Sequence, residues 1–231
     1  RNEFIDNMNF KDKKILITGA NGFLGYYTSK RIFELGGEVY GIGKRKFNAE
    51  ENKNKNIKFK RFICGKINID NLKKTCGYPD FVFHFASSSS VPDSIINPIK
   101  DIDNSVSTTT SVLEYIRIHC PKAQLIIPSS AAVYGNAKNL PISLKTPIFP
   151  ISPYGNTKRI IELLTKFYAN NHQIKCIIVR LFSVYGPYLK KQILWETCNK
   201  IIKKDFVFYG KGDETRDWIH AEDAANLLII A

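Results

Sequence analysis

The sequence predicts an α/β protein built on a doubly wound parallel sheet. Short apolar runs of strand length alternate with helix-like stretches of roughly 10–20 residues, and a glycine-punctuated turn separates the first run from the first helix. Such alternation implies βαβ units with right-handed crossovers. Ligands of these sheets sit at the carboxyl ends of the strands.

Residues 1–12 are polar and read as a loose tail. Residues 15–18 (ILIT) form the first buried strand, and residues 23–35 a helix that Gly36-Gly37 stops. The second strand covers 38–42. Residues 44–60 are highly charged and aperiodic until Ile57, so they read as an exposed loop leading into a strand at 58–63. The apolar, aromatic run 80–85 (DFVFHF) is a buried strand. A long helix follows over 98–119, then a buried strand over 124–128. Pro141, Pro147, Pro150 and Pro153 mark a loop that ends at a helix over 152–171, with a strand over 175–181. Past Pro187 the pattern gives a helix over 192–203, a strand over 206–209, a loop over 210–217 and an apolar helix over 221–231. That last helix has no C-terminal cap, so the chain is expected to continue.

Composition narrows the class. With 44% hydrophobic and 24% charged residues in 231, the chain is globular, not collagen-like, coiled-coil or wholly disordered. No apolar run approaches the roughly 20 residues of a membrane span, and no signal-peptide core opens the chain, so a cytoplasmic protein without a membrane partner is expected. Cys64, Cys76, Cys120, Cys176 and Cys198 are scattered without a C-x-x-C pair, which suits a reducing compartment. His84, His119, His172 and His220 are not spaced as ligands, and no metal is expected. The net charge of +13 comes from lysines spread along the chain, with no tract that combines clustered Arg and stacking aromatics. Nucleic acid is not an expected partner.

Thr18-Gly19-Ala20-Asn21-Gly22-Phe23-Leu24-Gly25 lies between the first strand and helix. Glycines there permit positive φ and let backbone approach a pyrophosphate, while the helix start presents free N–H groups. The turn therefore predicts dinucleotide binding. An acidic residue ending the second strand would hold the ribose of NAD, but here Gly43 runs into Lys44-Arg45. Either cofactor is admissible, and the basic pair favours NADP.

Tyr154 and Lys158 stand one helical turn apart, so phenol and ammonium can share a cleft. The ammonium, together with the positive charge of oxidised nicotinamide, is expected to bring the phenol from about 10 towards neutrality and make it a general base. Ser129 and Ser130 follow the strand at 124–128, where a hydroxyl can bond the reacting oxygen.

These segments, in this order, resemble the extended short-chain dehydrogenase/reductases, and within them the nucleotide-sugar epimerase/dehydratase group. Further matches are His84-Phe85-Ala86-Ser87, Val91-Pro92-Asp93-Ser94 with Asn97-Pro98, the run from Val179 to Pro187, Gly210-Lys211-Gly212, Thr215-Arg216-Asp217-Trp218 and Glu222-Asp223. The resemblance spans residues 13–231. It implies a Rossmann-like domain over 1–186 and part of a smaller, incompletely represented C-terminal substrate domain over 187–231, with 218–231 packing back on the first. It makes Ser130, Tyr154 and Lys158 catalytic and adds Ile67, Phe85, Ala86, Ser87 and Leu181 to the cofactor contacts. Substrate contacts would be Ser89, Ser130, Ser183 and Arg216, with Arg216 on the diphosphate.

Departures from the group refine this. Dehydratases carry an Asp-Glu pair, and decarboxylases the Glu, where this chain has Ala131 and Ala132. Neither alanine can move a proton, which argues against both chemistries. Lys66 stands where an acidic residue is frequent, Ser105 where a bracing Asn is usual (Asn104 is adjacent), and Ser183 replaces a substrate-contacting Asn. The resemblance thus implies an epimerase of a nucleotide-diphosphate sugar, working at C4 through a keto-sugar. The alternative is an NADPH-dependent reductase of a nucleotide 4-keto-sugar, and the remaining reading is a non-catalytic nucleotide-binding protein. A homodimer through the helices at 98–119 and 152–171 is also implied.

Overall fold

The structure, a computed structural model, describes residues 8–45, 57–208, 210 and 212–231. Six strands, β1 (Lys14–Thr18), β2 (Glu38–Gly43), β3 (Arg61–Cys64), β4 (Phe81–His84), β5 (Gln124–Ser130) and β6 (Cys176–Leu181), form one parallel sheet in the order β3-β2-β1-β4-β5-β6. The helices are α1 (Phe23–Glu34), α2 (Ile69–Thr75), α3 (Val91–Ile96), α4 (Pro98–Ile102), α5 (Thr108–His119), α6 (Pro153–His172), α7 (Gln192–Ile202) and α8 (Ala221–Ile230). A second, two-stranded parallel sheet joins β7 (Ser183–Tyr185) to β8 (Trp218–His220).

Strand alternation explains why both faces are covered. Leu16, Val82 and Leu125 point to one face and pack against Leu72 of α2, Val112 and Ile116 of α5 and Tyr168 of α6. Ile15, Ile17, Phe83 and Ile126 point to the other and meet Ile32 of α1 and Leu228 and Ile229 of α8. This is the Rossmann-like doubly wound sheet the sequence predicts. The strand order reverses between β1 and β4, which opens a crevice at their carboxyl ends. Among the described residues no helix is long and apolar enough to cross a membrane.

Several elements differ from the sequence reading. The long helix over 98–119 is interrupted by a π-helical turn at Asp103–Ser107. The hydroxyls of Thr108, Thr109, Thr110 and Ser111 each lie 2.7–3.0 Å from the carbonyl four residues back, competition that distorts a helix. Residues 206–208 form no strand, because no neighbouring strand pairs with them and their side chains stay exposed. Tyr209 and Lys211, residues 1–7 of the expected tail and residues 46–56 of the charged loop lie outside the described residues, and the rest of the tail is not loose, because Phe10 is buried edge-on against Phe81 with its N–H bonded to the Leu35 carbonyl at 3.0 Å. Helices α2 and α3 are too short, at 7 and 6 residues, to register as periodicity, and their caps, Asn68 and Ser90, define them instead.

A buried ion pair fastens α6 to the sheet. Glu162, fully buried, accepts from Arg180 Nε (2.8 Å) and Nη2 (2.7 Å) on β6 and from Ser129 Oγ (2.7 Å) on β5. Arg180 also donates to the Tyr134 hydroxyl at 2.8 Å. Burial alone would raise the Glu162 pKa, but the bonds from Arg180 and Ser129 outweigh it and hold the carboxyl below its ordinary range. Glu162→Ala is expected to cost about 3–5 kcal/mol in urea denaturation, since Arg180 is left unpaired. A folded-state pKa below the unfolded one means this contribution is present at neutral pH and lost as pH falls through the lowered value, so wild type and variant should converge in acid. Equal midpoints at pH 7 would remove the claim.

Candidate active site

Gly19 bends the chain away from β1 at φ +66°, a conformation that suits glycine. Gly25 lies so close that a Cβ there would sit 2.2 Å from the Gly19 carbonyl oxygen, so only glycine lets α1 begin against the turn. The first turn of α1 has no side-chain cap and no acidic residue, which leaves its N–H groups available to an anion. Beside it opens a cavity of about 650 Å³. Backbone close to the crevice, uncapped amides and this volume fit a dinucleotide.

Every predicted cofactor contact lines that cavity: Gly19, Asn21, Gly22, Phe23, Leu24, Gly25, Lys44, Arg45, Ile67, Phe85, Ala86, Ser87 and Leu181. So do Ser130, Tyr154, Lys158 and Ser89. Two predicted substrate residues do not. Ser183 is held in β7, its N–H bonded to the Asp217 carbonyl at 3.1 Å, and Arg216 is exposed in the segment before β8.

The candidate catalytic side chains are set by the start of α6. Pro153 occupies its first turn, and Ser152 Oγ accepts from the Gly155 N–H at 3.1 Å. A Cβ on Gly155 would lie 2.6 Å from the Ala132 carbonyl oxygen, so its absence lets α6 sit on the 3-10 turn Ala131–Tyr134. That contact brings Ser130, which caps the 3-10 turn, into the same cavity as the Tyr154 phenol, close enough to favour its ionised form. Ser129, one residue earlier, faces the other way and serves Glu162. The fully buried Ser94 accepts from the Tyr154 N–H at 3.0 Å.

Lys158 is buried, with its ammonium 5.6 Å from the centre of the Tyr154 ring. Its Nζ donates to Ser87 Oγ (2.9 Å), and Ser105 Oγ lies 3.1 Å from Ser87 Oγ and accepts from the Ser88 N–H (3.0 Å). Burial lowers the Lys158 pKa to about 8, with the charge of Asp101 opposing. Tyr154 departs from the sequence expectation. Burial raises its pKa, Ser130 pulls it down by less, and Asp101 adds to the rise. The protein's own groups do not make the phenol acidic, so a phenolate near neutrality needs the positive ring of oxidised nicotinamide.

His84 at the end of β4 is structural. Burial, then the charge of Lys158, pushes its pKa down to about 3, so the ring is neutral. Thr109 Oγ1 donates to the Ser105 carbonyl, which makes His84 Nε2 the donor to Thr109 (3.0 Å) and Nδ1 the acceptor from Thr18 Oγ1 (2.7 Å). Thr18 Oγ1 in turn accepts from the Ala86 N–H at 3.2 Å, which fixes the cavity rim.

Sequence reasoning misses Ser94, although V-P-D-S carries it, and Asp101, for which no pattern speaks. Both carboxylate oxygens of Asp101 are buried without a hydrogen-bond partner among the described residues.

Fold and site together define a dinucleotide-binding α/β protein of the short-chain dehydrogenase/reductase type. Within that class, the sequence model of the NAD dependent epimerase/dehydratase family matches residues 15–231, and the chain belongs to this family. A UDP-glucose 4-epimerase of Lactobacillus helveticus is 32% identical over 242 residues, which cover 94% of this chain and 71% of that protein. The UDP-N-acetylglucosamine 4-epimerase from Methanobrevibacter ruminantium M1, solved with UDP-N-acetylmuramic acid, superposes with a TM-score of 0.83 at 25% identity over 95% of this chain and 73% of that one. The UDP-glucuronic acid 4-epimerase from Bacillus cereus, solved with UDP-glucuronic acid and NAD, gives 0.80 at 26% identity over 92% and 70%.

A difference titration of wild type against Tyr154→Phe, read in the ultraviolet phenolate band, isolates this phenol. In the protein alone its ionisation is expected above the ordinary tyrosine value of about 10, and oxidised cofactor should move it down while reduced cofactor does not. A phenolate near pH 7 in the cofactor-free protein would overturn this electrostatic account.

Proposed function

We propose that the protein is a nucleotide-sugar epimerase acting at C4 through a transient keto-sugar. The observation that carries the reading is the meeting of Ser130, Tyr154 and Lys158 inside a cavity that the glycine turn also lines. The UDP-sugar 4-epimerases among its relatives support the substrate class. Bound NAD(P) would supply the acceptor and donor of the sugar hydride. Tyr154 Oη takes the proton of the sugar hydroxyl and returns it to the carbonyl oxygen, and Ser130 bonds the same oxygen. Lys158 would balance the phenolate and, by resemblance to the family, would also bind the nicotinamide ribose. Ala131 and Ala132 offer no carboxyl group for elimination or decarboxylation, which supports epimerisation over those chemistries.

For the cofactor we favour NADP. Gly43 leaves the end of β2 without the acidic side chain that binds the NAD ribose, the Asn21 amide lies against the place a Cβ would take, and Arg45 lines the cavity. This feature also favours the second reading, an NADPH-dependent 4-keto-sugar reductase. We read residues 187–231 as part of a substrate-side domain and the protein as a cytoplasmic homodimer. Exposed apolar side chains on α5 (Ile118) and α6 (Ile160, Leu163, Phe167) support the dimer.

UDP-, GDP- and dTDP-hexoses incubated with the protein and trace NADP should interconvert at C4, followed by NMR, with no net change in nicotinamide absorbance. Stoichiometric loss of NADPH would favour the reductase. Tyr154→Phe should slow turnover by about 10²–10⁴-fold, and unchanged turnover would return the protein to the non-catalytic class. Arg45→Ala should weaken NADP about tenfold and leave NAD unaffected, whereas a wild-type preference for NAD sinks the cofactor assignment.

A further inference from the structure

Among the described residues the buried charged side chains are Asp101, Lys158 and Glu162. Glu162 is closed on Arg180. That leaves one cation and one anion inside the protein. Among the described residues nothing bonds to the Asp101 carboxylate, and Lys158 donates to the hydroxyl of Ser87. The fold holds the two charges near each other. Asp101 lies on α4, whose cap Asn97 also ends α3, and both helices pack against α6. Before it in the chain, Ser94 of α3 accepts from the Tyr154 N–H. After it, Ser105 holds Ser87 beneath the Lys158 ammonium. Lys158 lines the cavity and Asp101 does not, so the anion stands behind the cation, on the protein side. The other charges around them are committed elsewhere. Asp93 on α3 and Lys100 and Asp103 beside Asp101 are exposed, Arg159 on α6 lies 3.6 Å from Glu162, and His84 on β4 is neutral.

We propose that Asp101 is a positioning residue of the candidate site, a buried counter-charge that keeps Lys158 an ammonium and holds the Tyr154 phenol protonated until an oxidised cofactor brings its own positive charge. A carboxylate buried without partners costs stability, so packing does not account for it. A direct salt bridge would draw the ammonium away from Ser87. Held apart from both groups, in surroundings of low dielectric, the charge acts on each without displacing either. The directions agree: Asp101 works against the loss of the Lys158 proton and adds to the rise at Tyr154.

The first test needs neither cofactor nor substrate. In the protein alone, the Tyr154 phenolate band of Asp101→Asn should appear at lower pH than in wild type. Lys158, at about 8, is already neutral where the phenol ionises, so this movement reports Asp101 itself. A urea double-mutant cycle at neutral pH with Lys158→Met should show coupling, the double variant losing less stability than the two single variants together. The third readout rests on the epimerase reading. Turnover of Asp101→Asn should fall about threefold or more one pH unit above the lysine value and stay within about twofold of wild type two units below it, the whole profile moving towards acid. An unmoved phenolate band or an additive cycle overturns the proposal, as does an equal fractional loss of turnover at every pH, which would make Asp101 a residue of the fold. Asp101→Ala is the second neutral variant, and failure of both to fold overturns the proposal on the same ground. A displaced band and a coupled cycle without C4 turnover would support Asp101 and sink the epimerase reading alone.

Discussion

An ammonium buried at the carboxyl edge of the sheet is the constraint around which the site is organised. Removing Lys158 from water disfavours its charge, and its hydrogen bond runs to a neutral hydroxyl, Ser87, not to a carboxylate. The structure answers with a chain of supports. Ser105 holds Ser87 and the Ser88 N–H, the π-helical turn carries Ser105, and the Thr108 hydroxyl lies 2.8 Å from the Ala86 carbonyl. A helix of regular pitch through 98–119 would carry residue 105 in a different register. The irregular turn thus sits where it steers a polar side chain under the buried lysine, in keeping with the frequent place of such turns at functional sites.

The helix bearing that lysine is fixed from two directions. At its start, the bare Gly155 contacts Ala132, and Ser94 takes the Tyr154 N–H. Two turns further on, Glu162 locks to Arg180 and Ser129. The neighbouring serines of β5 divide the labour: Ser129 turns into the protein to hold the helix, and Ser130 turns out to the phenol, as strand alternation requires. Backbone position and side-chain chemistry are therefore set by the same few residues, which is how a site on rigid elements keeps its geometry.

Much of this was legible in the sequence. The strands of the main sheet were readable because each is a short apolar run bounded by glycine, proline or charge, and the glycine turn was readable because its spacing has a mechanical reason. The trio Ser130, Tyr154 and Lys158 was legible through i, i+4 spacing and the strand end before it. What escaped depends on contacts between distant segments. The π-helical turn arises from hydroxyl competition that no hydrophobic period records, and β7 and β8 exist only because each supplies the other's partner. Arg216 carries a role by resemblance to its motif, whereas Lys190 and Lys191, which line the cavity with Lys44, Arg45 and Lys158, belong to no motif. The state of Tyr154 in the protein without cofactor was not legible for a related reason. Spacing shows which charge is near but not how deeply both groups are buried, and burial dominates here.

Charge along the cavity bears on the chemistry as a whole. A lining with cations at several stations and no carboxylate among the described residues favours an occupant with repeated negative charge, as a dinucleotide and a sugar nucleotide together would provide. It also restricts which protons can move. Elimination from a sugar needs a second acid or base beside the carbon that loses its proton, and Ala131 and Ala132 leave that place without one. The phenol of Tyr154 can serve one oxygen, in both directions, and that is all a C4 epimerisation asks of the protein. The protein's own groups leave the Tyr154 phenol above its ordinary value, so the positive ring of an oxidised cofactor is what would lower the energy of a phenolate there. On the proposed reading, one phenol then gives and takes one proton at one oxygen, with the cofactor's charge setting when it does so.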